Sequence, residues 1–76
     1  MKIEILGTGC PKCQALVANV EAAVRNLGIE AEVTKVEDIM EITSRGVMFT
    51  PALAIDGEIK ASGKVLSPEQ IRDLIG

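Results

Sequence analysis

Cys10 and Cys13 are the only cysteines in this 76-residue chain, and they stand where its hydrophobic period changes. Ahead of them, from Lys2 to Leu6, Ile3, Glu4 and Ile5 alternate apolar and polar, the two-residue period of a short strand. Gly7-Thr8-Gly9 breaks that period as a loop. From Pro11 the spacing turns helical: Leu16, Val20, Ala23, Val24 and Leu27 share one stripe, and Glu21 and Arg25 form an i,i+4 pair outside it. The Cys-x-x-Cys pair therefore falls at a helix N-terminus, with the two sulfurs within disulfide reach. A chain built this way must open with a strand–turn–helix unit carrying two thiols at the turn.

The remainder continues the alternation. Gly28 is placed to cap the first helix. Ile29, Ala31 and Val33 alternate with Glu30, Glu32 and Thr34, a half-buried strand whose charged face suits a sheet edge. Asp38, with Glu41 three residues on, opens a short helix carrying Ile39 and Ile42 that fails by Gly46. Ala52 to Ile55 and Glu58 to Ala61 flank Asp56-Gly57, and a type I′ hairpin turn needs positive φ at both central positions. Ser67 caps the last helix, Pro68 takes its first position and Gln70 closes a capping box. Leu66 and Ile71 have hydrophobic-staple spacing across that cap, and Ile71, Leu74 and Ile75 form the apolar face. The expected order is β-α-β-α-β-β-α in one domain, residues 1–76. A right-handed first crossover makes the first two strands parallel, and the hairpin adds antiparallel ones. This is an α/β fold, a mixed four-stranded sheet with helices on both faces.

Composition narrows the function. A chain this short buries only about 60% of its unfolded surface, so the core is small. Phe49 is the sole aromatic residue, which leaves no stacking platform for bases or sugars. A net charge of −3 argues against nucleic acid and anionic membranes as partners. Histidine is absent, removing the commonest general base and zinc ligand. No secretory signal opens the chain and no segment reaches transmembrane length, so a cytoplasmic location is expected. There a Cys-x-x-Cys pair is more often redox-active or metal-binding than a permanent staple.

The motif permits thiol–disulfide exchange, whose nucleophile is a thiolate. Cys10, at or near the N-cap, can accept from the orphan amides of the first turn and feels the positive end of the helix dipole. Lys12 adds a cation nearby, and Pro11 occupies a position that needs no amide. Cys13, one turn on and more covered, is the natural resolving thiol. Cys10 would attack a partner disulfide, and Cys13 would then attack Cys10 and release the reduced partner. The bland alternative is an inert buried pair. Thr50-Pro51 precedes the third strand, where proline is tolerable in any sheet. Beside the cysteine loop, a cis bond there would turn a backbone carbonyl and amide toward the sulfurs, ready to pair with an extended substrate.

Taken together, the chain resembles the thioredoxin superfamily, in particular its small glutaredoxin-sized redox-active disulfide proteins of archaea and bacteria. The resemblance rests on Ile3-Glu4-Ile5, Gly9-Cys10-Pro11-Lys12-Cys13, Thr50-Pro51-Ala52-Leu53, the Ile55-Asp56-Gly57-Glu58 hairpin and the Ser67-Pro68-Glu69 helix, and it runs nearly end to end. It implies the minimal thioredoxin-like fold, a nucleophilic Cys10, a resolving Cys13 and a cis bond before Pro51. It also implies protein disulfides as substrates and a thioredoxin-reductase-like electron donor, with no cofactor. The chain departs from thioredoxins proper in having Gly9 before the first cysteine and Pro11-Lys12 between the two. Lys12 and Ser62-Gly63-Lys64 stand where glutaredoxins carry their glutathione-gripping residues, which argues against glutathione and for a dithiol partner. Nothing demands more than a monomer.

Glu4 lies six residues before Cys10, where thioredoxins place a buried acid that assists proton transfer to the resolving thiol. The favoured expectation is instead an exposed or Lys-paired Glu4 at the strand start; a buried proton acceptor for Cys13 is the alternative. Glu21, Arg25, Glu30, Glu32, Lys60, Arg72 and Asp73 read as solvated faces, and Met40, Met48 and Phe49 as core or substrate-groove lining. The rival function is a Cu(I) carrier binding through Cys10 and Cys13, since Gly7-Thr8-Gly9-Cys10 resembles the loop of heavy-metal-associated domains. Those domains place a third strand directly after the second, where a helix is expected here.

Overall fold

The computed structural model describes residues 1–75. Its elements are β1 (Lys2–Leu6), α1 (Pro11–Leu27), β2 (Glu32–Val36), α2 (Ile39–Ser44), β3 (Ala52–Ile55), β4 (Glu58–Ser62) and α3 (Pro68–Ile75). The sheet order is β2-β1-β3-β4, with β1 parallel to β2 and antiparallel to β3, and β3 antiparallel to β4. The α/β architecture and element order are those expected from the sequence.

Alternation along β1 and β3 divides the core in two. Ile3, Ile5 and Leu53 point to one face, where they meet Leu16, Val20 and Ala23 of α1 and Ile71 of α3. Leu6, Ala52 and Ala54 point to the other, against Ile42 of α2 and Val47. Ile3, Ile5, Leu6, Leu16, Leu53 and Ile71 are essentially inaccessible. Full burial of each such side chain contributes about 1.5–3 kcal/mol. All four residues of β3 are buried because the strand is internal and covered on both faces, whereas edge strand β2 has none.

Local chemistry sets the boundaries. Gly28 adopts the left-handed conformation at φ 65° and its amide caps the Val24 and Arg25 carbonyls. Asp38 caps α2 by accepting from the Met40 amide at 2.9 Å. Asp56 and Gly57 have φ of 52° and 86°, the paired positive values the hairpin requires. A register shift at Leu53/Ala54 leaves Lys60 as an extra residue in β4, a bulge the sequence pattern does not announce.

Four expectations are corrected. The second strand begins at Glu32, although Ala31 still packs on the core. Leu27 and Leu74, assigned to buried stripes, are partly exposed: Leu27 is the last residue of α1 and Leu74 lies in the final turn of α3. Ile39 stands out in solvent, since α2 is short and buries only Ile42. Met40, Met48 and Phe49 are 81%, 86% and 67% exposed, which removes them from the core and leaves only a surface role. The metal-carrier alternative required a strand directly after β2; α2 stands there, and the architecture does not support it.

Candidate active site

The β1–α1 turn places Cys10 as the N-cap of α1, with extended φ −66° and ψ 164° and Pro11 in the first helical turn. Its Sγ accepts from the Cys13 amide at 3.3 Å, the capping interaction a serine or aspartate oxygen makes elsewhere. The Gln14 amide bonds the Cys10 carbonyl at 3.0 Å, and the Gln14 side chain donates to the Gly9 carbonyl at 3.0 Å, so the turn is held from both sides. Both cysteines are free thiols, with Sγ atoms 2.6 Å apart.

Their environments differ. Cys10 is half-buried and Cys13 is 4% exposed. The Cys13 thiol donates toward the Cys10 sulfur and lowers its pKa, helped by the Cys13 and Lys12 amides. Burial pushes the Cys13 thiol up, reinforced by its bond to Cys10. Lys12 thus reaches the site through its backbone amide as well as by its position beside the sulfur, while its side chain lies in solvent.

The Thr50–Pro51 bond is cis. Thr50 is exposed and Pro51 buried, and the Pro51 carbonyl accepts from the Gly63 amide at 2.8 Å, toward β4 rather than toward the sulfurs. The backbone free to meet a substrate therefore lies on the Thr50 side of the bond.

The junction between the two motifs is Gly7, which the sequence pattern offers only as a loop residue. A Cβ built there would collide with Cys13 Sγ and come within 3.8 Å of Pro51 Cα. Gly7 lets the β1 backbone approach the cysteine and proline loops at once, and its amide bonds the Val36 carbonyl of β2 at 2.9 Å. No periodicity signals this; it follows from three loops converging at one end of the sheet.

Glu4 overturns the favoured expectation. It is 7% exposed and makes a two-pronged ion pair with Arg45, at 2.8 and 3.2 Å. It does not meet the description of the alternative either. Glu4 is paired across the sheet with Ala54, on the α2 face, whereas α1 packs on the opposite face. The Arg45 guanidinium holds its carboxyl below the usual range, so it stays ionised. Arg45 follows α2 as its C-cap, 41 residues from Glu4, a separation over which no sequence pattern pairs two charges.

A cleft of about 610 Å³ opens on the α1 side of the turn, lined by Cys13, Gly9, Gln14, Glu21, Lys35 and Glu37 among others. Among the described residues, no group of three or more His, Cys, Asp or Glu side chains is placed to hold a metal ion. No described helix is long and apolar enough to cross a membrane.

The chain as a whole is similar to known proteins. The family described as the thioredoxin domain matches residues 1–76. A thioredoxin of Methanothermobacter thermautotrophicus is 45% identical over 75 residues, covering 99% of this chain and 97% of its own. A thioredoxin of Methanocaldococcus jannaschii is 48% identical over 71 residues, 93% of this chain and 81% of its own.

Proposed function

The chain belongs to the thioredoxin domain family, and from that premise we propose that its thiol–disulfide oxidoreductase chemistry runs through Cys10 and Cys13. The observation that carries this reading is the asymmetry of the pair. An accessible Cys10 with a lowered pKa touches a buried Cys13 with a raised one. The nucleophile in exchange is the thiolate, so at neutral pH Cys10 attacks first.

The Cys10 thiolate bonds to one sulfur of a partner disulfide, and the other sulfur leaves as a thiolate. Cys13 then loses its proton and attacks Cys10 Sγ. The Cys10–partner bond breaks and the second partner sulfur leaves. Two electrons pass from the Cys10–Cys13 pair to the partner, and an external dithiol returns them. Pro11 and Lys12 set the N-cap that stabilises the first thiolate. Thr50, held by its cis bond to the buried Pro51, presents backbone to an extended substrate segment, with exposed Met48 and Phe49 giving it an apolar rim. The substrates are protein disulfides and the electron donor a thioredoxin-reductase-like protein. The domain acts as a cytoplasmic monomer without cofactor, and neither nucleic acid nor membrane is a partner.

Equilibration in dithiothreitol redox buffers, read by alkylation and mass, tests the reading. A reversible two-electron midpoint between roughly −300 and −180 mV is expected. A Cys13→Ser variant should accumulate a mixed disulfide at Cys10. Failure to form a reversible disulfide, or trapping of the partner on Cys13 in the Cys10→Ser variant at the same rate, would overturn it.

A further inference from the structure

Cys10 stands between two peptide groups, and one residue fixes both. The Gln14 amide donates to the Cys10 carbonyl at 3.0 Å, which sets the Cys10–Pro11 peptide. The Gln14 side chain reaches back with Nε2 to the Gly9 carbonyl, also at 3.0 Å, which sets the Gly9–Cys10 peptide. The first bond is the ordinary i to i−4 contact of a helix start, and any residue other than proline at position 14 makes it. The second belongs to the glutamine side chain alone.

That second bond falls where the backbone is softest. Gly9 has φ 84°, and a glycine reaches many other conformations at similar energy. A peptide that follows such a residue turns at little cost unless something holds its carbonyl. The carbonyl and N–H of a trans peptide point opposite ways, so a bond to the Gly9 carbonyl also aims the Cys10 amide. It fixes where the Cys10 side chain starts as well, and that side chain caps α1, with Sγ 3.3 Å from the Cys13 amide. After the Cys13 thiol, the amides of Cys13, Lys12 and Cys10 itself favour the Cys10 thiolate.

We propose that Gln14 is a positioning residue for the attacking sulfur: its side chain locks the Gly9–Cys10 peptide so that Cys10 Sγ stays over the first-turn amides of α1. It acts through the backbone of the turn, not as a proton donor or acceptor. The charged and titratable groups around this turn are Cys13 and Lys12 of α1 and Glu37 after β2, with Glu21 and Lys35 on the cleft that Gln14 also lines. β1 and the cis-proline loop bring Gly7 and Pro51, which carry no charge. A neutral replacement of Gln14 leaves every one of these charges in place. The proposal deepens the functional reading and rests on Cys10 being the attacking thiol.

Iodoacetamide labelling across pH 5–9, mapped by mass, separates failure of that reading from failure of this one. If Cys13 of the reduced wild-type protein labels before Cys10 at neutral pH, the functional reading itself falls. Given Cys10 first, Gln14→Met is made in the Cys13→Ala background, where Cys10 is the one thiol. Methionine is close to glutamine in length and helix propensity and has no N–H to donate. Below the labelling midpoint the Cys10 rate should fall about fivefold, the scale of one net hydrogen bond, while the plateau at high pH is retained. Gln14→Ala, with no side chain to reach Gly9, should give the same shift; a shift confined to Gln14→Met would belong to the new side chain and sink the proposal. An unmoved midpoint would sink it whatever urea unfolding shows of stability, because Gln14 would then be a structural strap. A rate lowered equally at every pH would also sink it, since that reports access to the sulfur and not its acidity.

Discussion

At the scale of single residues, the site depends on what Cys13 gives to Cys10 and on what Gly7 leaves out. The Cys13 thiol is the leading cause of the lowered Cys10 pKa, ahead of the helix amides. A Cys13→Ala variant keeps the amides and loses the thiol. Its Cys10 should alkylate with a pH midpoint above that of the reduced wild-type protein, moving toward ordinary cysteine, as iodoacetamide rates across pH 5–9 would read; a midpoint that does not move would place the effect wholly in the amides. Gly7→Ala puts a methyl against Cys13 Sγ. Overpacking of this kind costs about 1–3 kcal/mol. Urea unfolding should show that loss, and the dithiol midpoint should shift with it, because the methyl presses on the sulfur itself.

Among the elements, α3 shows how local chemistry and packing combine. Gln70 donates its amide to Ser67 Oγ at 3.2 Å while its side-chain oxygen accepts from the Ser67 amide at 2.9 Å, a closed capping box. Asn19 of α1 donates to the Leu66 carbonyl at 2.9 Å just before it, and Leu66 and Ile71 both join the core under α1. The helix that covers the α1 side of the sheet is therefore fastened at its entry. Ser67→Ala should lower unfolding free energy by about 1 kcal/mol. Because the cap lies away from the cysteines, the dithiol midpoint should stay in place; a shift of the midpoint would show that α3 couples to the site. Capping and staple were legible because each is a short-range pattern with one physical solution.

Across the whole molecule, the Glu4–Arg45 pair ties the central strand to the segment leading into the cis-proline loop. Its pH signature has a definite sign. The folded Glu4 pKa lies below its unfolded value, so its stabilisation is present above the ordinary carboxylate range and is lost as pH falls through the folded value. Glu4→Gln should be less stable than wild type at neutral pH, since it loses the two charge-assisted bonds from Arg45. That difference should shrink as denaturation is repeated down to about pH 3. A difference constant with pH would mean that packing, not charge, supports the contact.

The sequence by itself determined the order of elements, the turn at Asp56-Gly57, the caps at Gly28, Asp38 and Ser67, and the placement of Cys10 and Cys13 at a helix start. Each depends on interactions spanning a few residues, where period and side-chain chemistry have few solutions. The tertiary structure decided what required distant segments to meet: Arg45 beside Glu4, Gly7 between Cys13 and Pro51, and the exposure of Met40, Met48 and Phe49. Glu4 is the clearest case. Strand alternation specifies which residues share its face, but only the packing of α2 against that face tells whether the face meets solvent, a thiol or an arginine.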